Sequence, residues 1–172
     1  MVRQINRPKC YVESPLGFEP SRAEEYQKYL DQIHYFAEPI NPFFIAGGEF
    51  IPDILKLSGQ EKQERWCDMA VRLYEVIEKE ADMGFAILNG EPTDVGTACE
   101  MAFGYALHKT GIKSFPIVAY RDDLRRSGET ENNLNAMLLP PYMRTGGEFV
   151  TRFEEIKPAI GRVAMSFGPL WG

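Results

Sequence analysis

Apolar residues recur along this chain in two rhythms. Ala23, Tyr26, Tyr29, Leu30 and Ile33 follow one another at spacings of three and four behind Ser21, which predicts a capped amphipathic helix. Trp66, Met69, Ala70, Leu73, Val76 and Ile77 repeat that spacing behind a Ser58–Glu61 capping box, predicting a helix that buries this face. A third helix is expected from Thr97 to Thr110, with Met101, Ala102, Tyr105 and Ala106 inward. His108, Lys109 and Gly111 form its stop signal. Thr151 and Glu154 offer a capping box for a terminal helix that Pro158 should kink.

Between these lie short extended runs. Lys9 to Val12, Tyr35 to Ala37, Met83 to Leu88 and Phe115 to Tyr120 read as strands, with a weaker final strand ahead of the terminal helix. Met83 to Leu88 is apolar without alternation, as expected of a central parallel strand covered on both faces. Pro116 has no amide hydrogen for a ladder, so pairing in the fourth strand should start at Ile117. Asn133 to Leu139 predicts one short helix ended by Pro140-Pro141. Residues 39 to 57, broken by Pro39, Pro42, Gly47, Gly48 and Pro52, predict a long loop: a lid, a subunit contact or a plain insertion.

Strand–helix alternation of this kind predicts one α/β domain over residues 1–172, a parallel sheet with helices on both faces. Sites on such sheets lie beyond the carboxyl ends of the strands. Here those ends are Ser14 to Phe18, Asn89 to Asp94, and Arg121 onward.

Composition narrows the partners. A formal charge of −6 disfavours a nucleic-acid partner, which needs a basic surface. The one basic run, Arg121 with Arg125 and Arg126, encloses Asp122 and Asp123 and reads as a solvated loop. Cys10, Cys67 and Cys99 are an odd set with no Cys-x-x-Cys pair, which favours reduced thiols and a cytoplasmic location. His34 and His108 stand too far apart in sequence to suggest a zinc ligand cluster. The first residues lack the apolar run of a signal peptide, and no stretch approaches the ~18 apolar residues of a membrane span. The expectation is no membrane partner and no metal.

The segment from Asn89 to Glu100 joins the buried strand to a helix N-terminus, where backbone amides stabilise negative charge. A carboxylate there should stay ionised and oriented, as a nucleophile at a sugar C1′ requires. Thr97-x-x-Glu100 is equally a capping box, so on the residues alone Glu100 has two possible roles. Gly90 and Gly96 match neither the dinucleotide fingerprint nor the P-loop.

The run Asp94-Val95-Gly96-Thr97-Ala98-Cys99-Glu100-Met101-Ala102-Phe103-Gly104-Tyr105-Ala106 resembles the signature of the nucleoside 2-deoxyribosyltransferases. Tyr11 to Phe18 is similar to that family's first strand and sugar-site loop. Asp82, Arg121-Asp122-Asp123 and Leu134 to Leu138 match further family segments in the expected order. The resemblance implies a flavodoxin-like (Rossmann-like) five-stranded parallel sheet and a homo-oligomer whose sites are completed by a neighbouring subunit. It also implies transfer of a 2-deoxyribosyl group between nucleobases with no cofactor, the ligands being nucleosides and free bases. Carried over, Glu100 is the nucleophile, Tyr11 steers its carboxylate, and Asp94 holds the sugar 5′-hydroxyl. Asn135 reaches the same end of the sugar from the adjacent subunit. Phe18 stacks on the base, Gly17 belongs to the same loop, and Asp82 opens the third strand. Where the family carries an Asp or Asn against the base, this chain has Tyr74, or Arg72 after a two-residue shift, and Asp68 is a poor substitute. The group that protonates the leaving base is therefore left open. So is the choice between a transferase, an N-glycoside hydrolase on the same fold, and a non-catalytic nucleotide-binding module.

Overall fold

The computed structural model describes residues 7–45, 47, 51–90, 93–123 and 134–169. Five strands form one all-parallel sheet in the order β2-β1-β3-β4-β5. They are β1 (Lys9–Glu13), β2 (Glu38–Ile40), β3 (Met83–Ile87), β4 (Ile117–Tyr120) and β5 (Glu148–Val150). The helices are α1 (Ala23–His34), α2 (Pro42–Ile45), α3 (Ile51–Lys56), α4 (Gly59–Lys79), α5 (Val95–Lys109), α6 (Leu139–Met143) and α7 (Phe153–Met165). This is the flavodoxin-like order, and its switch point lies between β1 and β3, where a crevice opens beyond the strand ends.

Strand alternation divides the core in two. Cys10, Val12, Phe85, Ile87, Val118 and Tyr120 face α1 and α7, and pack with Tyr29, Ile33, Ile156, Ala159 and Ile160. Tyr11, Ala86, Leu88, Ile117 and Ala119 face the other way, toward Val76, Ile77, Met101 and Leu107 of α4 and α5. Every residue of β3 is buried, as its unbroken apolar run requires. Gly104 lets α5 lie close on the sheet, since a methyl group there would stand 2.5 Å from Phe115 Cδ1.

Several expectations shift. The second strand is Glu38–Ile40 and not Tyr35 to Ala37, because α1 runs on to His34 with Tyr35 as its C-cap. Pro39 is tolerated there because β2 is an edge strand. The long loop holds two short helices, α2 and α3. Pro140-Pro141 sits in the first turn of α6, where no intrahelical amide donor is needed, so it opens a helix where a stop was expected. Asn133, the expected start of that segment, lies outside the described residues. β4 does begin at Ile117; its amide donates to Thr145 Oγ1 (3.2 Å), whose hydroxyl donates to Pro141 O (2.6 Å).

Capping differs from the sequence signals in a consistent way. Ser58 and Arg152 are the N-caps of α4 and α7 without side-chain cap bonds, and Arg22, not Ser21, precedes α1. Side-chain caps are instead made by Ser14, Asp94 and Asn135. Ser14 and Asp94 both stand at the carboxyl end of the sheet.

Candidate active site

Three segments meet at the switch point. β1 ends in Glu13, and Ser14 then turns the chain into a 3-10 turn over Pro15–Phe18 by accepting a bond from Leu16 N (3.1 Å). Beyond β3 the chain reaches Asp94, which caps α5: its Oδ2 accepts from Thr97 N (2.8 Å) and from the Thr97 hydroxyl (3.2 Å). Asp94, not Thr97, is thus the cap, and Glu100 lies beyond the first turn of α5 with no part in a capping box.

Glu100 is held from the sheet instead. The fully buried Tyr11 of β1 donates its hydroxyl to Glu100 Oε1 at 2.7 Å. Burial pushes the Glu100 carboxyl up to about 7 and the Asp94 charge adds to this, against the opposing pull of the Tyr11 hydrogen bond. The helix N-terminus therefore does not keep this carboxylate at an ordinary value; dehydration wins. Burial, with the Glu100 charge next in weight, drives the Tyr11 phenol far above its usual range, so it stays a hydrogen-bond donor.

Above this pair opens a cavity of about 420 Å³. Ser14, Asp94, Thr97 and Glu100 supply its polar surface; Pro15, Phe18, Ile51, Trp66, Met69 and Leu73 supply its apolar walls. Phe18 lines this cavity and stands edge-to-face on Phe43 (5.7 Å), which meets Phe44 in turn (5.4 Å). Phe50, a candidate with Phe43 and Phe44 for closing the base pocket, lies outside the described residues. Trp66, Met69 and Leu73 were expected in the core. They line the cavity because the first half of α4 stands off the sheet, and only Val76 and Ile77 of this helix are buried. A larger hollow of about 560 Å³ between α3 and α4 shares Met69 and is lined by Asp53, Glu61, Arg65, Asp68 and Arg72. It contains none of the motif residues.

The remaining expected residues are less uniform. Gly17 packs against the Tyr26 ring beneath the Pro15–Phe18 turn. Tyr74 packs at a tilt against Phe103 (4.9 Å between ring centres) and is bonded toward Cys99; burial is the main cause that raises its phenol, and the Glu100 charge also acts on it. It is a neighbour of Glu100 and not part of the cavity wall. Asn135 is exposed and caps a 3-10 turn over Ala136–Leu138, accepting from Met137 N (2.9 Å). Asp82 must be withdrawn from the site. It stands just before β3, at the amino end of the sheet, where its carboxylate accepts from Lys9 N (2.7 Å) and ties β1 to β3.

Arg121 was expected in a solvated loop and is buried. Its Nε donates to Asp123 Oδ1 (2.6 Å), while Asp123 Oδ2 accepts from Gly90 N (2.6 Å), so the pair braces the end of β3. Arg125 and Arg126 lie outside the described residues. Sequence reasoning also missed Glu13, a carboxyl wholly buried on the same face as Tyr11. Alternation along β1 puts Glu13 on the face of Tyr11, but the slot that takes up its carboxyl is opened by Gly84, far along the chain.

A model of the nucleoside 2-deoxyribosyltransferases matches residues 10–137, which takes in Tyr11, Phe18, Asp94, Glu100 and Asn135. The chain belongs to this family. No curated protein matches it. Among solved structures it is similar to a conserved protein from Enterococcus faecalis V583, with a TM-score of 0.61 and 20% identity over 91% of this chain and 99% of that one. That likeness is one of fold. Among the described residues, no helix of this family member is long and apolar enough to cross a membrane. No group of three or more His, Cys, Asp or Glu among them is placed to hold a metal ion.

Proposed function

We propose that this chain transfers a 2-deoxyribosyl group between nucleobases, with Glu100 as the nucleophile and no cofactor. The observation that carries the reading is the 2.7 Å bond from Tyr11 to Glu100 Oε1 at the floor of the cavity. It fixes one carboxylate oxygen and leaves Oε2 as the attacking atom. In the first step Oε2 bonds to C1′ as the C1′–N bond breaks, and the electron pair leaves with the base, which takes up a proton. The result is a glycosyl ester. In the second step a nitrogen of another base attacks C1′ and gives up its proton as the C1′–O bond breaks and its electron pair returns to Glu100. Both transition states resemble an oxocarbenium ion, which a carboxylate stabilises.

The apolar walls, Phe18 and Trp66 among them, stack on the base and keep water from the ester. Asp94 lies beside Glu100 and receives the sugar 5′-hydroxyl as a charge-assisted donor. A 5′-phosphate would instead meet the Asp94 charge. At ~4 Å and an effective dielectric of about 20, two unit charges repel by about 4 kcal/mol, roughly a thousandfold in binding. Free 2′-deoxynucleosides are therefore the substrates. The assembly is a homo-oligomer in which a neighbour's Asn135 completes the sugar site, consistent with the exposure of Asn135 and of Met137 (80%) and Val95 (71%).

The test is incubation with deoxyinosine, with and without adenine or cytosine, followed by chromatography. A new deoxynucleoside formed faster than free deoxyribose is expected. Sugar release that ignores added base, with no new nucleoside, would reassign the site to N-glycoside hydrolysis. Deoxyadenosine should be turned over far faster than its 5′-monophosphate, and equal rates are incompatible with this role for Asp94.

A further inference from the structure

We propose that Glu13 and Glu100 form an unequal carboxyl pair, in which Glu13 keeps a proton and serves as an uncharged positioning residue while Glu100 carries the charge. The kinetic consequences rest on the reading of Glu100 as nucleophile; the protonation of Glu13 does not.

Glu13 is 0% exposed, and neither of its carboxylate oxygens has a hydrogen-bond partner. Its side chain folds back over β3 into a slot that exists because residue 84 is glycine. A methyl group at Gly84 would lie 2.6 Å from Glu13 Oε1, and also 3.2 Å from Phe115 Cε1 and 3.3 Å from Ile117 Cγ1. The slot is therefore walled by hydrocarbon. An ionised carboxylate left bare in such a place loses many kcal/mol of hydration, whereas a neutral acid loses only a few. A buried orphan of this kind calls for an explanation.

The charged and titratable groups around it point the same way. Tyr11 lies two residues away on the same face of β1, and Glu100 bears on Glu13 from α5. Cys10 lies across the strand, and Tyr26 of α1 is a further buried hydroxyl without a partner. None of these four is a cation, and the wall residues from β3 and β4 do not titrate. Burial first, and the Glu100 charge second, hold the Glu13 carboxyl far above the ordinary range.

Two neighbouring carboxyls in unequal surroundings divide one proton between them, and the environment decides which keeps it. Glu100 has the Tyr11 hydroxyl as a donor and opens on the cavity; Glu13 has neither advantage. The proton stays on Glu13. An ionised Glu13 would set a second negative charge against Glu100, holding the nucleophile protonated to higher pH, and would draw on the same Tyr11 hydroxyl.

Infrared spectroscopy at pH about 9, where exposed carboxyls are ionised, reads this directly. A carboxylic-acid C=O band is expected in the native protein and in Glu100→Gln, and its loss in Glu13→Gln. A native protein without the band, or a band that survives Glu13→Gln, overturns the proposal. Where transfer activity is found, the acid limb of kcat/KM should stay at the same pH in Glu13→Gln. A move to lower pH would mean that a charge had been removed, and would also overturn it. Gly84→Ala evicts the carboxyl, so the band should vanish and the acid limb move up, with Glu13→Gln/Gly84→Ala returning the limb to its native place. If Gly84→Ala keeps both the band and the limb, the slot does not hold the proton. If no transfer activity is detected, the functional reading fails while the infrared result still decides the state of Glu13.

Discussion

The two faces of the sheet are built from the same kind of helix and end in opposite conditions. On one, α7 buries Ile156, Ala159, Ile160, Val163 and Ala164 against the strands and α1, and the stripe is used up. On the other, the equally regular stripe of α4 buries only Val76 and Ile77, while Trp66, Met69 and Leu73 look into the cavity above Glu100. Helical periodicity reports that a face is apolar; it does not say whether protein or a ligand will cover it. The difference arises where α2 and α3 pack on α4 and a cavity opens between the first half of α4 and the Pro15–Phe18 turn. Both faces carry a core, and the α4 side also leaves room for chemistry.

The largest effect that separates the faces comes from Glu100→Gln. Loss of a nucleophile that acts in concert with its partners costs about 10⁴- to 10⁶-fold in kcat. The variant should remain folded, as judged by circular dichroism and cooperative urea unfolding. A Gln variant with native turnover would remove Glu100 from the mechanism.

On the closed face, Ile160→Ala should cost about 2–5 kcal/mol in urea unfolding, because it empties a fully buried site. Turnover per folded molecule should hardly change. A KM effect as large as the stability effect would mean that the faces are not separable.

A pH series sharpens the contrast on the open face. The Glu100 carboxyl is raised in the folded protein from 4.5 to about 7, so the native state binds its proton more tightly than the unfolded chain. Its stabilising contribution is complete below the unfolded value and is lost as pH rises through about 7. That amounts to about 3 kcal/mol across the interval. The native protein should therefore lose stability relative to Glu100→Gln between pH about 4.5 and 7, while turnover climbs through about 7 as the carboxylate forms. If the two proteins keep a constant stability difference across that range, Glu100 is not the dehydrated group described here.

The smallest stability effect is expected at Leu73→Ala. This side chain already borders open space, so its removal should cost less than the ~2–5 kcal/mol typical of a sealed core. The loss should show in KM for the nucleoside. Equal destabilisation by Leu73→Ala and Ile160→Ala would abolish the distinction between the faces.

What could be read from the chain follows the same division. The closed core, the unbroken β3 and the start of β4 at Ile117 were legible because burial writes itself into periodicity and into where proline is allowed. The short motif from Asp94 to Glu100 was legible as a pattern. Its physics was only half so, since the helix N-terminus suggested an ordinary carboxylate and burial made an elevated one. Asp82 was misplaced because order along the chain does not reveal which end of a strand a neighbour occupies. Glu13 was overlooked because its slot depends on Gly84, seventy-one positions downstream. No local pattern couples the two.

Asp94 carries a consequence for how this lineage can change. The same side chain bonds the Thr97 amide at the start of α5 and faces the cavity. Replacements that drop the cap loosen the helix that bears Glu100, at about 0.5–2 kcal/mol. Descendants can therefore explore position 94 freely only among the short capping residues Ser, Thr, Asn and Asp. That vocabulary has one charged word and three neutral ones, so if the proposed placement of the sugar against Asp94 holds, shifts in taste at its far end should come as a switch between two dialects rather than as a gradual drift.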